Sequence, residues 1–236
     1  MTDSIILDNG IITGIEVNPM AGLYIADDTP VDLISNDDSD IMKSSNGTEH
    51  IMKVMKPELI DSEIMYDGIA FTVERRELEY TDNKHVIIRN IARHNPVVHI
   101  LIHDMDSDLY LIEREYRAGR DAIVHGLPAG FIDDSEKPLD AAVRELREET
   151  GIILDNETID NIEFMRDAFS SEGFTDEHAY LFRLDVHESE IHQGLQDLDA
   201  DERVESSWMT LDAAIDCVHG SNSTILLMME KLRRMQ

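Results

Sequence analysis

The sequence predicts an α+β protein, and three observations carry that prediction. Apolar and charged residues alternate loosely through Ile69–Tyr80 and again through His85–Ile91, with Asp82-Asn83 as a turn between them. That is the pattern of two antiparallel strands with charged outer faces. From Pro138 to Gly151 the period changes: Leu139, Ala142, Val143 and Leu146 recur at offsets of three and four, which marks a helix with one buried face. Beyond it the strand pattern returns, and the chain closes on two helical stretches.

Taken in order, residues 1–56 form an N-terminal extension without a clear role. Ile5-Ile6-Leu7, Asp8-Asn9-Gly10 and Ile11-Ile12 read as a short hairpin about an Asn-Gly turn. Ser35–Thr48 is polar and turn-rich, a linker. Its Asp37, Asp38 and Asp40 lack the glycine and glutamate offsets of a calcium loop, so they read as solvated. Residues 57–95 form the small antiparallel β subdomain, and 96–236 the main domain. In the latter, Val97–His103 is a strand, Met105–Asp108 a turn and Leu109–Arg114 its partner. Ile123-Val124-His125 leads into Gly126-Leu127-Pro128-Ala129-Gly130 and the helix. Ile162–Phe169 and Ala179–Leu184 are strands flanking a loop, Ser170–Glu177. Val204–Met209 is the last strand, with Trp208 in the core. Thr210 caps a helix over Leu211–Val218, and Ser223 caps a final amphipathic one with Ile225, Leu226, Met229 and Leu232 on its packed face.

Composition excludes several functions. Fifty acidic residues against 20 basic give a net charge of −30, which repels phosphate backbones and anionic membranes, so no nucleic-acid or membrane partner is expected. Cys217 is the only cysteine, which removes disulfides and thiolate metal clusters and leaves a small core residue. The N-terminus has no basic region ahead of its short apolar run, and Ile225–Met229 is far too short to span a bilayer, so a cytoplasmic location is expected.

The stretch Gly130–Ile152, GFIDDSEKPLDAAVRELREETGI, organises the chain. Pro138 suits the first turn of a helix and Gly151 the left-handed position past its end. Glu145, Glu148 and Glu149 lie at helical offsets that gather their carboxylates. Like charges so placed destabilise an isolated helix, whereas a hard divalent cation reverses the sign. Arg144, four residues before Glu148, can hold it in place. A solvated acidic face would account for the glutamates but not for Gly130, Glu136, Arg144, Gly151 and Ile152 at fixed separations.

That pattern resembles the Nudix box without a departure. Glu115-Tyr116-Arg117, Leu127-Pro128-Ala129-Gly130 and Gly173-Phe174-Thr175-Asp176-Glu177 are similar to the ADP-ribose pyrophosphatase branch, over roughly residues 57–220. The resemblance implies a Nudix α/β/α sandwich with a mixed sheet, preceded by the small antiparallel subdomain. In that branch the subdomain swaps across a homodimer, which would make 57–95 a dimerisation element. Two positions depart from it: Gly126 stands where the branch has an acidic residue, and Glu172 where a proline is common.

The chemistry to be explained is hydrolysis of a phosphoanhydride. Mg²⁺, with Mn²⁺ as a substitute, would sit on Glu145, Glu148 and Glu149, and by the resemblance on the carbonyl of Ala129. Glu136 belongs at the edge, and Arg144 orients the glutamates through charge-assisted bonds. The resemblance implies Glu177 as the general base, with a box glutamate such as Glu148 as its competitor. It likewise gives Arg117 a contact to the diphosphate or terminal ribose, and places Phe174 among the substrate-binding residues. Tyr66, Phe71 and Tyr116 are the candidates for stacking on a base. The expected activity is cleavage of ADP-ribose or a related nucleotide sugar into AMP or another NMP and a sugar phosphate. The competing readings are a pyrophosphatase for GDP-mannose or dinucleoside polyphosphates, and a non-catalytic ADP-ribose sensor. The intact box disfavours the sensor.

Overall fold

The computed structural model describes residues 55–198 and 203–236, and before them only the backbone of short strand segments between Ile5 and Ile51. Ile5–Leu7 and Gly10–Ile12 pair antiparallel with Ile5 opposite Ile12, the register a hairpin requires; their turn lies outside the described residues. The stretch 35–48, expected as linker, includes the short strand Ile41–Lys43, and the remainder, with Asp37, Asp38, Asp40 and Asn46, is outside the described residues. The chain divides into two compact units, Met1–Asp61 with Glu77–Ile88, and Ser62–Arg76 with Arg89–Gln236.

Three strands, β1 (Glu58–Asp67), β2 (Phe71–Glu79) and β3 (Val86–His94), form one sheet in the order β3-β2-β1. Connections this short oblige consecutive strands to run antiparallel. The sequence reading contains β2 and β3 but not β1. Every residue of β1 is exposed, so it has no buried face to impose an alternating pattern.

The main sheet is built from β4 (Val97–Asp104), β5 (Leu109–Arg117), β6 (Ala122–Gly126) and β7 (Ala129–Phe131), which precede the box helix α1 (Pro138–Thr150). There follow β8 (Ile152–Ile153), the short α2 (Asn156–Ile159), β9 (Glu163–Phe169), β10 (His178–Val186), β11 (His192–Gln193) and β12 (Val204–Met209). Helices α3 (Leu211–Cys217) and α4 (Ser221–Arg233) end the chain. Strand β4 is central and pairs parallel with β10 along its whole length, from Val97↔Ala179 to Asp104↔Val186. Its other edge is shared: β7 takes Val97–His99, and β5 takes His103 and Asp104, both antiparallel. β5 carries β6 on one edge and β12 on the other, and β9 closes the far side against β10. The sheet is therefore mixed.

Both faces of β4 are covered, which explains why VVHILIH reads as a near-continuous apolar run. Val97 and Leu101 pack with Leu211, Ala214, Leu226 and Leu227 under α3 and α4. Val98, Ile100 and Ile102 pack with Ala141, Ala142 and Leu146 under α1, where Trp208 is also half-buried. This is the α/β/α sandwich that the resemblance implies. Helix α1 starts with Pro138 in its first turn and ends at Gly151, whose φ of 72° is left-handed. Thr210 caps α3 by accepting from Ala213 N–H.

One cap differs from the expectation. Ser223 does not cap α4; Gly220 occupies that position, and Ser223 lies inside the first turn. Its hydroxyl faces Leu127 N–H at 3.4 Å, so a tertiary partner outcompetes the local capping role. At the other end of α4, buried Glu230 accepts hydrogen bonds from Tyr110 Oη (2.7 Å), Arg183 Nε (2.7 Å), Arg233 Nε (2.9 Å) and Arg234 Nε (3.1 Å), tying the helix to β5 and β10.

Candidate active site

Helix α1 presents its acidic residues toward β5 and β7. Arg144 is the hub of that face. Its Nε and Nη2 hold both oxygens of Glu136 at 2.9 Å, its Nη1 reaches Glu145 at 2.8 Å and Glu148 at 3.0 Å, and Nη2 also donates to the carbonyl of Phe131. Five bonds from one planar group are a task lysine could not perform. The three carboxylates in turn hold the guanidinium well above its usual pKa, and Glu136 is drawn below the usual carboxylate range by Arg144. Glu136 also accepts from Asp133 N–H at 3.0 Å, which braces the turn ahead of the helix. Its place at the edge matches the sequence expectation.

Gly130 is needed for proximity rather than for an unusual φ. A Cβ there would collide with the carboxylate of Glu145, so a side chain at this position would push that carboxylate from its place. One residue earlier, Ala129 N–H donates to Glu149 at 2.9 Å.

Glu149 is the buried member of the set, and its neighbour across the gap is one the sequence reading missed. Glu113 on β5 is also buried; it shares a hydrogen bond with Glu149, and its Oε1 has no partner among the described residues. Burial pushes both carboxyls far above the usual range; repulsion from Glu113 adds to it at Glu149, and repulsion from Glu115 at Glu113, where the hydrogen bond to Glu149 works the other way. Two acids so confined hold a proton that a cation would displace. The alternation Leu111, Glu113, Glu115, Arg117 puts it on one face of β5, a pattern that a solvated strand face gives as readily.

These residues suit a hard divalent cation: oxygen donors only, one buried oxygen orphaned, and two adjacent carboxyls whose ionisation burial opposes. No group of three or more acidic, histidine or cysteine side chains is poised together for a metal among the described residues. The reason is visible, since Glu145 and Glu148 are turned onto Arg144 and Glu149 onto a backbone N–H.

Beside the box lies a cavity of about 340 Å³, lined by His94, His99, Arg117, Ala129, Gly130, Ser170, Glu177 and the start of α4. Arg117, Ala129 and Glu177, which come from three separate sequence motifs, thus share one wall. Arg117 is exposed and its Nη2 lies 2.5 Å from Glu115. A wider recess of about 810 Å³ continues past Arg117 to Arg120, His125 and His219, with Glu115 on the same lining.

Glu177 sits at the foot of the loop between β9 and β10. The end of β3 locks that loop: Ala92 N–H donates to the carbonyl of Phe174 (2.7 Å), His94 N–H to Asp176 (2.9 Å), and Arg93 pairs with Asp176 (2.8 Å). Phe174 is exposed and stands outside the cavity, contributing its carbonyl to this lock. His94, Ser170 and Asn222 complete the surroundings of Glu177, and no motif in the sequence marked them.

A family model described as the NUDIX domain matches residues 93–227. The chain belongs to the Nudix family, and it is a hydrolase of that family. It is 26% identical over 167 residues to the ADP-ribose pyrophosphatase of Bacillus subtilis (strain 168), spanning 71% of this chain and 85% of that protein. It is 27% identical over 167 residues to the methanol dehydrogenase activator of Bacillus methanolicus, spanning 70% and 85%. Among solved structures it resembles an ADP compounds hydrolase with a TM-score of 0.61 at 20% identity, over 77% of this chain and 97% of that one.

Proposed function

We propose that the protein is a Mg²⁺-dependent pyrophosphatase that hydrolyses ADP-ribose or a related nucleotide sugar to AMP, or another NMP, and a sugar phosphate. The observation that carries this reading is the meeting of Arg117, Glu177 and Ala129 on one cavity beside the box carboxylates. The ADP-ribose pyrophosphatase similarity over 71% of the chain supports the same substrate class.

Glu145, Glu148, Glu149 and the carbonyl of Ala129 would hold Mg²⁺ or Mn²⁺, with Glu113 as the buried carboxylate behind them. Bound there, the ion neutralises the diphosphate and acidifies a water. Arg144 restrains Glu136, Glu145 and Glu148 so that the acidic cluster keeps its shape. Arg117 meets the negative diphosphate or its terminal ribose, and Arg120 in the recess beyond it adds local positive charge on an acidic protein. Glu177 accepts the proton of the attacking water, which adds across one P–O bond of the anhydride.

The 57–95 segment serves as a dimerisation element in this reading. Leu59, Ile60, Ile64, Met65 and Tyr66 on β1 are each at least half exposed, an apolar strand that another chain can cover. Gel filtration should therefore give twice the monomer mass, and a clean monomer removes this element of the proposal. No helix among the described residues is long and apolar enough to cross a membrane. The direct test is a nucleotide-sugar panel incubated with Mg²⁺ and resolved by ion exchange. ADP-ribose should give AMP and ribose phosphate; preferential cleavage of GDP-mannose or a dinucleoside polyphosphate would replace the substrate, and no cleavage at all would favour a sensor.

A further inference from the structure

We propose that Asn222, in the first turn of α4, is a positioning residue for Glu177 and acts through the hydroxyl of Ser170. The inference rests on the reading of Glu177 as the group that takes the proton from water.

The directions of the hydrogen bonds can be worked out from Glu177 outward. One of its oxygens meets Ser170 Oγ, and the other lies 3.1 Å from His94 Nδ1. A carboxylate accepts and does not donate, so the single hydroxyl hydrogen of Ser170 goes to Glu177. Ser170 Oγ then has only acceptor capacity left, and Asn222 Nδ2 fills it at 3.0 Å. Exchanging the amide oxygen and nitrogen would set two acceptors against each other, so the amide has one orientation.

The second hydrogen of Asn222 Nδ2 faces His99 Nε2 at a longer 3.4 Å, which requires a lone pair on that nitrogen. His99 is neutral: burial, with Arg117 nearby, pushes its pKa down to about 4. Its other nitrogen, Nδ1, lies 3.5 Å from Ser223 Oγ. On the opposite side, His94 Nδ1 touches two acceptors, the carbonyl of Asn95 at 2.9 Å and Glu177 at 3.1 Å, so it must carry the hydrogen. Each oxygen of Glu177 is therefore held by a donor, and the Asn222–Ser170 row is polarised toward it.

Asn222 itself gives the independent sign. It is 4% exposed, and its Oδ1 has no partner among the described residues. A buried acceptor left unpaired is costly, and packing alone gives no reason to keep one. A requirement for the two N–H donors does. The start of α4 thereby sets the orientation of a carboxylate on the loop between β9 and β10, across the cavity wall.

The test compares Ser170→Ala and Asn222→Ala in the wild-type and Glu177→Gln backgrounds. Each is expected to lower kcat about tenfold with KM within about twofold. Ser170→Thr, which keeps the hydroxyl, should recover most of the loss, and neither alanine variant should reduce the rate further once Glu177 is glutamine. Losses that multiply in that background, or unchanged kcat in both alanine variants while Glu177→Gln is crippled, would overturn the proposal. Full turnover in Glu177→Gln would instead remove the assignment of the base. In that event a crystal structure of Asn222→Ala decides the positioning role without reference to rate: a Glu177 carboxylate turned from its place supports it, and an unmoved one refutes it. Should Asn222→Ala not fold, Ser170→Ala, at a half-buried position, carries the same comparison.

Discussion

Glu149 and Glu230 are both buried glutamates, each on a helix packed against the same sheet, and they are held in opposite ways. Glu230 receives hydrogen bonds from Tyr110, Arg183, Arg233 and Arg234, which outweigh its burial and hold it well below the usual carboxylate range. Glu149 receives one backbone N–H and faces Glu113, so burial and repulsion push it well above that range. A buried charge is tolerated when it is paired. The first site is complete within the protein and serves stability. The second has no cationic side chain against Glu149 and lies next to Ala129, which lines the cavity.

The largest effect that separates the two concerns rate. Glu148→Gln or Glu149→Gln should lower kcat by about 10²–10³-fold while the protein stays folded. In Glu149→Gln the metal-free stability should rise by about 0.5–2 kcal/mol in urea titration, because an unfavourable buried acid has been removed. Full activity in either variant would break the comparison at its functional end.

Glu230→Ala should do the reverse. Removing it deprives buried Arg183 of one of its two close carboxylates, with Asp185 remaining, and a loss of about 3 kcal/mol in chemical denaturation is expected. The kcat of the folded fraction should stay near wild type. A large fall in kcat with full stability would show that the network reaches the active site.

Gly130→Ala sharpens the active-site half of the contrast. The added Cβ meets the Glu145 carboxylate, so kcat should fall about tenfold with little change in melting temperature.

The smallest effect is the pH profile of the metal-free protein. Glu149 and Glu113 titrate above their unfolded values, so the unfolded chain releases those protons first, and stability falls as pH rises from about 5. Glu230 titrates below its unfolded value, so its contribution is present at neutral pH and is lost as pH drops below about 4. Melting temperature should peak near pH 5, and Mg²⁺ should raise it more at pH 8 than at pH 6. A profile that keeps rising to pH 8 without metal would contradict the state assigned to Glu149.

Much of this contrast was legible before any coordinates. Pro138, Gly151 and the spacing of Leu139, Ala142 and Leu146 specify α1 locally, and Arg144 and the box glutamates come with it. The run VVHILIH reads as a strand, and the structure adds that both of its faces are buried. Other residues left no such mark. Glu113 is one carboxylate on a strand, a pattern that a solvated face produces as readily. Asn222 and Ser170 act across the fold, where local spacing carries no information, and Ser223 has the composition of a cap yet bonds elsewhere. Strand β1, exposed throughout, lacks the alternation that burial would have written into it.

The central claim is that Glu149, with Glu113 against it, belongs to a site for a divalent cation. Titrating the full chain with Mn²⁺ at about 0.15 M salt, with free Mn²⁺ followed by electron paramagnetic resonance, tests it most directly. Wild type should show a tight class of sites that Glu149→Gln weakens by about tenfold or more and Glu230→Ala leaves intact. Equal Mn²⁺ affinity in wild type and Glu149→Gln would contradict the account.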